Sequence, residues 1–243
     1  MTKISFLFAA ASLALVMTPA YGQFELNSTY RSVEARYFYD SGSSPFVFDI
    51  DVLWDASHAG TFTREASATN DTYASLMSFV GEAGIIKGSS IADRDTIVAD
   101  EFTTEIANSS SMMQVEFSIT APTPYSLGLD AHASIYVFEN DFVFRLASDS
   151  ETIIDYDAYS SGWEFDPSGN WLDVSLDGVL QPGDYTLEVI AKSTGEFIGS
   201  SHYGGFPVEY DFTFSVPGPS GIAVLAMPAL GMAPMRRRRT RCM

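Results

Sequence analysis

Residues 113–119 read Met-Gln-Val-Glu-Phe-Ser-Ile, with an apolar side chain at every odd position and a polar one at every even position. Residues 48–52 and 185–189 alternate in the same way. Successive side chains of a β-strand point to opposite faces, so this period of two predicts strands with one buried and one solvent-facing side. These stretches decide the fold class, because they predict an all-β protein.

Further stretches also have strand character and are separated by turns rich in Gly, Pro, Asn and Asp. They are residues 35–39, 97–106, 133–138, 142–146, 151–156, 171–176 and 208–216. Short strands with such turns predict a single β-sandwich, of jelly-roll or immunoglobulin-like type, over residues 23–215. Residues 73–86 are the one candidate for a helix, although the glycines at 81 and 84 weaken it.

Two turns are well specified. Residues 180–184, Leu-Gln-Pro-Gly-Asp, lead into Tyr185 and resemble the entry to a late strand in many secreted β-sandwich modules, which fixes a turn and a core tyrosine. Residues 166–170, Asp-Pro-Ser-Gly-Asn, offer the hard oxygen ligands that calcium prefers. A structural calcium ion is therefore the one metal that the sequence leaves open, and no other cofactor is expected.

The charge of the chain is concentrated in its middle. The 243 residues have a formal net charge of −18, but six of the 13 bases lie at the two ends, leaving seven bases against 31 acids between them. Such a field is unsuited to nucleic acid or anionic lipid. The single cysteine, Cys242, lies at the extreme C-terminus, so the acidic body has no disulfide and must be stabilised by burial.

The N-terminus has the features of a secretory signal peptide over residues 1–22. Lys3 gives the positive first region, residues 4–16 are apolar, and Pro19 ends the apolar run. Small residues at positions −3 and −1 predict cleavage by the export machinery at the site formed by Ala20, Gly22 and Gln23. We therefore expect a Sec-exported protein.

The C-terminus, residues 216–243, has three parts in a fixed order. It begins with the proline motif Val216, Pro217, Gly218, Pro219 and Ser220, and continues with an uncharged apolar stretch at 221–235. It ends with the basic cluster Arg236, Arg237, Arg238, Arg239 and Arg241. The stretch is short for a membrane span, but the arginines fit the positive-inside rule and would hold the tail in the cytoplasm with the body outside.

This tail resembles the PEP-CTERM sorting signal, with Gly218 where the family usually has glutamate. The resemblance covers the tail alone. It implies recognition by an exosortase, a membrane protease-transpeptidase, transient anchoring in the cytoplasmic membrane by a short helix, and a link to extracellular polysaccharide. A plain C-terminal anchor with a stop-transfer cluster is the alternative. Both interpretations place the body at the cell surface or outside the cell.

The body carries few signs of catalysis. His58, His132 and His202 show no metal-ligand spacing, and no catalytic or metal-binding residue is assigned. Paired acids at 49 and 51 and at 155 and 157 are expected to be solvated strand faces, although a glycosidase-type pair stays open. Aromatic side chains could serve a glycan-binding face or belong to the core; these are Trp54, Trp163, Trp171, Tyr156 and Tyr159.

The expected function is therefore a non-enzymatic structural or binding component of the cell surface or of an exopolysaccharide matrix. Two alternatives remain, a carbohydrate-binding module and a secreted hydrolase acting on glycans. A binding module predicts exposed aromatic rings in a groove. A hydrolase predicts two carboxylates at glycosidase separation within a cleft.

Overall fold

The computed structural model describes residues 24–40, 45–55, 59–68, 72–94, 104–133, 141–158, 163–166, 169–198 and 207–216. In these ranges all regular secondary structure is β-strand, as the alternating stretches predict. The strands are β1 (Phe24–Asp40), β2 (Pro45–Asp55), β3 (Gly60–Ser67), β4 (Thr72–Val80), β5 (Ile85–Arg94), β6 (Thr104–Ile119), β7 (Thr123–Ala133), β8 (Asp141–Ser148), β9 (Thr152–Asp157), β10 (Glu164–Asp166), β11 (Gly169–Leu180), β12 (Gly183–Ile198) and β13 (Val208–Ser215).

The strands form two antiparallel sheets, which is consistent with a β-sandwich. The six-stranded sheet has the order β2-β1-β6-β12-β8-β9, and the seven-stranded sheet has the order β10-β11-β7-β13-β5-β4-β3. The long strand β1 pairs with β6 from Phe24 opposite Ile119 to Asp40 opposite Thr104. Most neighbours are distant in sequence, so the pairing is largely non-local.

The core lies between the two sheets and is rich in aromatic rings. On β13, Tyr210, Phe212 and Phe214 are buried while the residues between them face outward. Phe212 meets Phe144 of β8 edge to face at 5.3 Å between ring centroids, and Phe214 meets Phe117 of β6 at 6.0 Å. These contacts join opposite sheets, and each fully buried ring contributes on the order of 1.5–3 kcal/mol.

One charged side chain crosses this interior. Arg31 of β1 has no exposed surface. Its guanidinium donates to the carbonyl of Gly60 at 3.2 Å and to the hydroxyl of Thr29 at 3.3 Å. It also stacks over the ring of Phe62 at 5.5 Å. Because a buried cation needs such partners, Arg31 fixes β3 against β1.

The helix considered for residues 73–86 is wrong. This stretch is strand β4, the turn at 81–84 and the start of β5. On β4 the inward positions Ala74, Leu76 and Val80 are buried, but the outward positions include Met77 and Phe79. Apolar side chains on both faces hide the period of two in the sequence.

The turn before Tyr185 is confirmed. β11 ends at Leu180 and β12 begins at Gly183, so the chain reverses within the predicted Leu-Gln-Pro-Gly-Asp segment. Tyr185 is buried, and its hydroxyl donates to the carbonyl of Gln181 at 2.6 Å. The ring also stacks on Phe117 at 5.5 Å. The local sequence motif therefore correctly predicts both the turn and the buried tyrosine.

The last described residue, Val216, is packed into the body. Its side chain is fully buried, and its N–H donates to the carbonyl of Gly84 at 2.8 Å. The predicted signal peptide, residues 1–22, and the rest of the predicted tail, residues 217–243, lie outside the described ranges. Within those ranges no helix has the length and hydropathy needed to cross a membrane.

Candidate functional site

The outer surface of the seven-stranded sheet carries a groove of about 440 Å³. It crosses the sheet from β11 through β7, β13 and β5 to β4 and β3. We call this depression the sheet groove. Its volume lies in the range of small-molecule sites, but it is an open surface feature, not an enclosed pocket.

Strand alternation decides which side chains reach the sheet groove. On β7, Leu129, Ala131 and Ala133 are buried, so Asp130 and His132 between them point outward. On β11 the buried Leu172 leaves Trp171 and Asp173 on the outer side. On β13 the outward positions next to Tyr210 are Glu209 and Asp211. The groove is thus lined from the solvent-facing half of each strand.

The pairing register aligns these residues in two rows across the strands. Trp171 lies opposite His132, and His132 lies opposite Glu209. This first row continues through Ile91 and Ser75 to Glu65. In the second row, Asp173 lies opposite Asp130, which lies opposite Asp211. We call these three aspartates the acid row.

The aromatic element of the site is a ring pair. The imidazole of His132 stacks on the indole of Trp171 at 4.1 Å between centroids, with 22° between the planes. Trp171 is still 42% exposed. The Nε2 atom of His132 is buried and has no hydrogen-bond partner among the described residues. The stack holds the indole in place while leaving much of it open to a ligand.

The charge of the sheet groove is negative. Glu65, Asp130, Glu209 and Asp211 line it, against the single base Arg64. Arg64 lies over the ring of Phe62 at 5.6 Å and donates to the carbonyl of Thr63. In the ladder, each aspartate of the acid row has another directly opposite, an arrangement of like charges that is unfavourable by itself.

The β4 and β5 end of the groove is apolar. Met77 is 57% exposed and Ile91 is also exposed, and both line the groove. Phe79, two residues further along β4, is exposed on the same face. The groove therefore combines an indole on β11, carboxylates on β7 and β13, aliphatic surface on β5 and β4, and a further carboxylate, Glu65, on the edge strand β3.

The predicted aromatic candidates divide between core and surface. Trp163 is buried, packs edge to face on Phe142 and donates to the carbonyl of Asp157 at 2.8 Å. It is therefore a core residue and not part of a glycan-binding face. Tyr156 is half-buried against the core. The side chain of Trp54, and Tyr159 altogether, lie outside the described residues.

Other predicted candidates do not converge on this groove. Asp155 pairs with Arg145 at 3.0 Å on the six-stranded sheet, as expected for a solvated strand face. His58 and His202 lie outside the described residues, as do the side chains of the acids at 49 and 51. Among the residues that are described, no three His, Asp or Glu side chains are placed to hold a metal ion.

Sequence reasoning missed Asp130, Glu209 and Asp211 as site residues. Residues 127–133 alternate Leu-Gly-Leu-Asp-Ala-His-Ala, so the outward position of Asp130 could have been found from the pattern. The proximity of Trp171, His132 and Glu209 depends on the pairing of β11, β7 and β13. No local pattern encodes that pairing.

The opposite face of the protein offers a smaller depression. It measures about 260 Å³ and is lined by Glu34, Arg36, Asn108, Lys192 and Thr194, among others. Arg36 is ion-paired with Glu34. None of its described lining residues is aromatic, in contrast to the sheet groove with Trp171 and His132.

Comparisons with known proteins leave the function open. No protein-family model matches the chain, and no curated protein is significantly similar to it. Among solved structures, the VP2 subviral particle of infectious bursal disease virus is 12% identical with a TM-score of 0.25; the match covers 81% of this chain and 57% of that one. A GH31 alpha-xylosidase from Xanthomonas citri is 11% identical with a TM-score of 0.19, covering 82% and 19%. Likenesses this weak carry no argument about function.

Proposed function

We propose that this chain is an exported, surface-sorted, non-enzymatic protein of the extracellular matrix, and that its sheet groove binds polysaccharide. The observation that carries the binding role is the exposed indole of Trp171, held by His132 in an open groove lined with carboxylates. The signal peptide and the sorting tail support the location. The finer fold assignment, a single jelly-roll or immunoglobulin-like domain flanked by two terminal helices, belongs to the same proposal.

The shape and chemistry of the groove suit a sugar chain. An open groove admits a polymer along its length, whereas a closed pocket would admit only an end. A sugar ring presents C–H bonds that pack on an aromatic face, and its hydroxyls donate to carboxylate oxygens. Trp171 on β11 supplies the ring. Asp130 supplies an acceptor on β7, the next strand, and Asp211 supplies another on β13, one strand further on.

The test is a glycan array followed by calorimetry on the purified protein. Replacing Trp171→Ala should weaken binding about tenfold, the order expected from losing one aromatic contact. Tyr30→Ala is the matched control, because Tyr30 is 40% exposed on the outer face of the other sheet. Equal effects of the two substitutions, or no glycan bound by the unaltered protein, would refute the role of the groove.

A hydrolase acting on glycans is the second candidate. Asp130 and Asp211 lie directly opposite each other on β7 and β13, so two carboxylates sit side by side in the groove. Glycosidases use such pairs. Release of reducing ends from a bound glycan, lost in both Asp130→Asn and Asp211→Asn, would establish hydrolysis. Binding without any product favours the non-enzymatic role.

The sorting role is tested separately from the groove. Intact mass measured on protein from the native host distinguishes the two interpretations of the tail. Loss of the segment after Pro219 would support processing by an exosortase-type transpeptidase. A full-length tail retained in the membrane fraction would instead identify a plain anchor.

A further inference from the structure

We infer that the polysaccharide bound in the sheet groove is cationic, carrying free amino groups on its sugar rings. This inference rests on the proposed polysaccharide-binding function and adds the charge class of the ligand. Its basis is the juxtaposition of the acid row, Asp173, Asp130 and Asp211, with the exposed indole of Trp171 in the neighbouring row.

The carboxylates of the acid row have no ion-pair partner among the described residues. Among the described residues, none of the three aspartates makes a hydrogen bond or an ion pair, and the same holds for Glu209. By contrast, Glu34, Asp155 and Glu188 on the six-stranded sheet each lie near an arginine. The seven-stranded sheet therefore presents a line of uncompensated negative charge that an external cation would neutralise.

The geometry of the row matches a polymer more closely than a single ion. Neighbouring strands are spaced by about 4.8 Å, so the acid row offers one carboxylate at each such step across three strands. A sugar chain lying across the strands would meet a carboxylate at each step and Trp171 at its end. Within the described residues no group of acids is gathered around a point, as a metal ion would require.

Charge also excludes competing occupants. The same face of a second copy of this chain would be repelled by the acid row, and so would an acidic polysaccharide. A neutral glycan could use Trp171 but would leave the acid row without a partner. An ammonium group satisfies the carboxylates through charge-assisted hydrogen bonds, while the sugar ring it belongs to packs on the indole.

The experiment compares three oligosaccharides of equal length on the purified protein at about pH 6, where ordinary carboxylates are ionised. They are a glucosamine hexamer, its N-acetylated counterpart and a glucose hexamer with the same linkage. We expect the glucosamine hexamer to bind about tenfold more tightly than either neutral one, with an affinity that falls as salt is raised.

Matched variants separate the acid row from net charge. The triple substitution Asp130→Asn, Asp173→Asn and Asp211→Asn should reduce glucosamine-hexamer affinity on the order of tenfold or more. The control triple Glu82→Gln, Asp149→Asn and Glu151→Gln removes the same charge from exposed turn residues and should change affinity less than about twofold. Melting curves of both variants establish that they are folded.

Each outcome decides between the two proposals. Tighter binding of neutral hexamers, lost in Trp171→Ala, would overturn the cationic ligand while leaving polysaccharide binding intact. Failure of all three hexamers would overturn both. Binding of oligolysine in place of the glucosamine hexamer would identify a cationic peptide as the occupant and would also overturn both. Equal losses in the two triple variants would show that net charge, not the acid row, governs binding.

Discussion

Replacing Gly84→Ala should destabilise the protein by detaching the end of β13. Gly84 has a φ of +79°, and a Cβ atom built on it would lie 2.4 Å from the carbonyl oxygen of Val216 and 3.3 Å from the ring of Phe24. No real Cβ contact is that short, so the Val216 segment must move. The substitution therefore strains the turn and breaks a tertiary contact at once.

The magnitude follows from three contributions. An L-residue in the left-handed region costs about 1–2 kcal/mol. Losing the 2.8 Å hydrogen bond from the Val216 N–H to the Gly84 carbonyl costs about 1 kcal/mol. Exposing the fully buried Val216 side chain costs about 1.5–3 kcal/mol. Complete detachment would thus lower the free energy of unfolding by roughly 3.5–6 kcal/mol, or the melting temperature by about 7–24 °C.

Thermal and urea denaturation of the purified variants measure this loss. Gly60→Ala is the control, because Gly60 has a φ of +106° but its Cβ would meet no atom within 4 Å, which leaves only the conformational cost. A loss in Gly84→Ala no larger than in Gly60→Ala would refute the close approach of Val216. Val216→Ala should also cost much less in the Gly84→Ala background than alone, as expected for residues that share one contact.

Three further predictions concern stability. Burial raises the pKa of Tyr210 above its ordinary value of 10.0, so its contribution to stability is present below about pH 10 and is lost at higher pH as the phenol ionises. Between about pH 9 and 11 the melting temperature of Tyr210→Phe should therefore fall less than that of the unaltered protein. Equal falls in the two proteins would contradict this. Arg31→Ala should lower the free energy of unfolding by about 3–5 kcal/mol, because it removes hydrogen bonds from a charged donor and leaves a cavity in the core. Arg31→Lys should restore little of this loss because lysine lacks the planar donor fork, and near-complete rescue by lysine in urea denaturation would count against this. Asp130→Asn should raise the melting temperature slightly at low salt and not at high salt, because it relieves repulsion from Asp173 and Asp211, which lie opposite it on the two neighbouring strands. A melting temperature that is unchanged or lower at low salt would contradict this.

Much of the fold could be predicted because the strands that form its centre alternate cleanly. β6 and β12 pair along their length, and the stretches at 113–119 and 185–189 within them have strictly alternating polarity. β4 was missed because Met77 and Phe79 are apolar yet face outward. The alternation signal fails wherever a solvent-facing side is itself apolar, and here that side borders the candidate site.

The candidate site was harder to predict than the fold for a related reason. Trp163 and Trp171 are eight residues apart and chemically identical, yet one packs on Phe142 in the core and the other stacks on His132 at the surface. Only the pairing of β11 with β7 determines that Trp171 meets His132. Non-local register is set by the whole sheet, so a sequence pattern predicts which side chains face outward but not which ones meet.

Strand β13 links the candidate site to the last residue that the structure describes. β13 contributes Glu209 and Asp211 to the groove, and its chain ends in the body at Val216, which is fixed to the turn at Gly84. Val216 lies five positions after Asp211, a distance of about 17 Å along an extended strand. Under the proposed sorting role, the tail would therefore join the body through the same strand that contributes Glu209 and Asp211 to the groove.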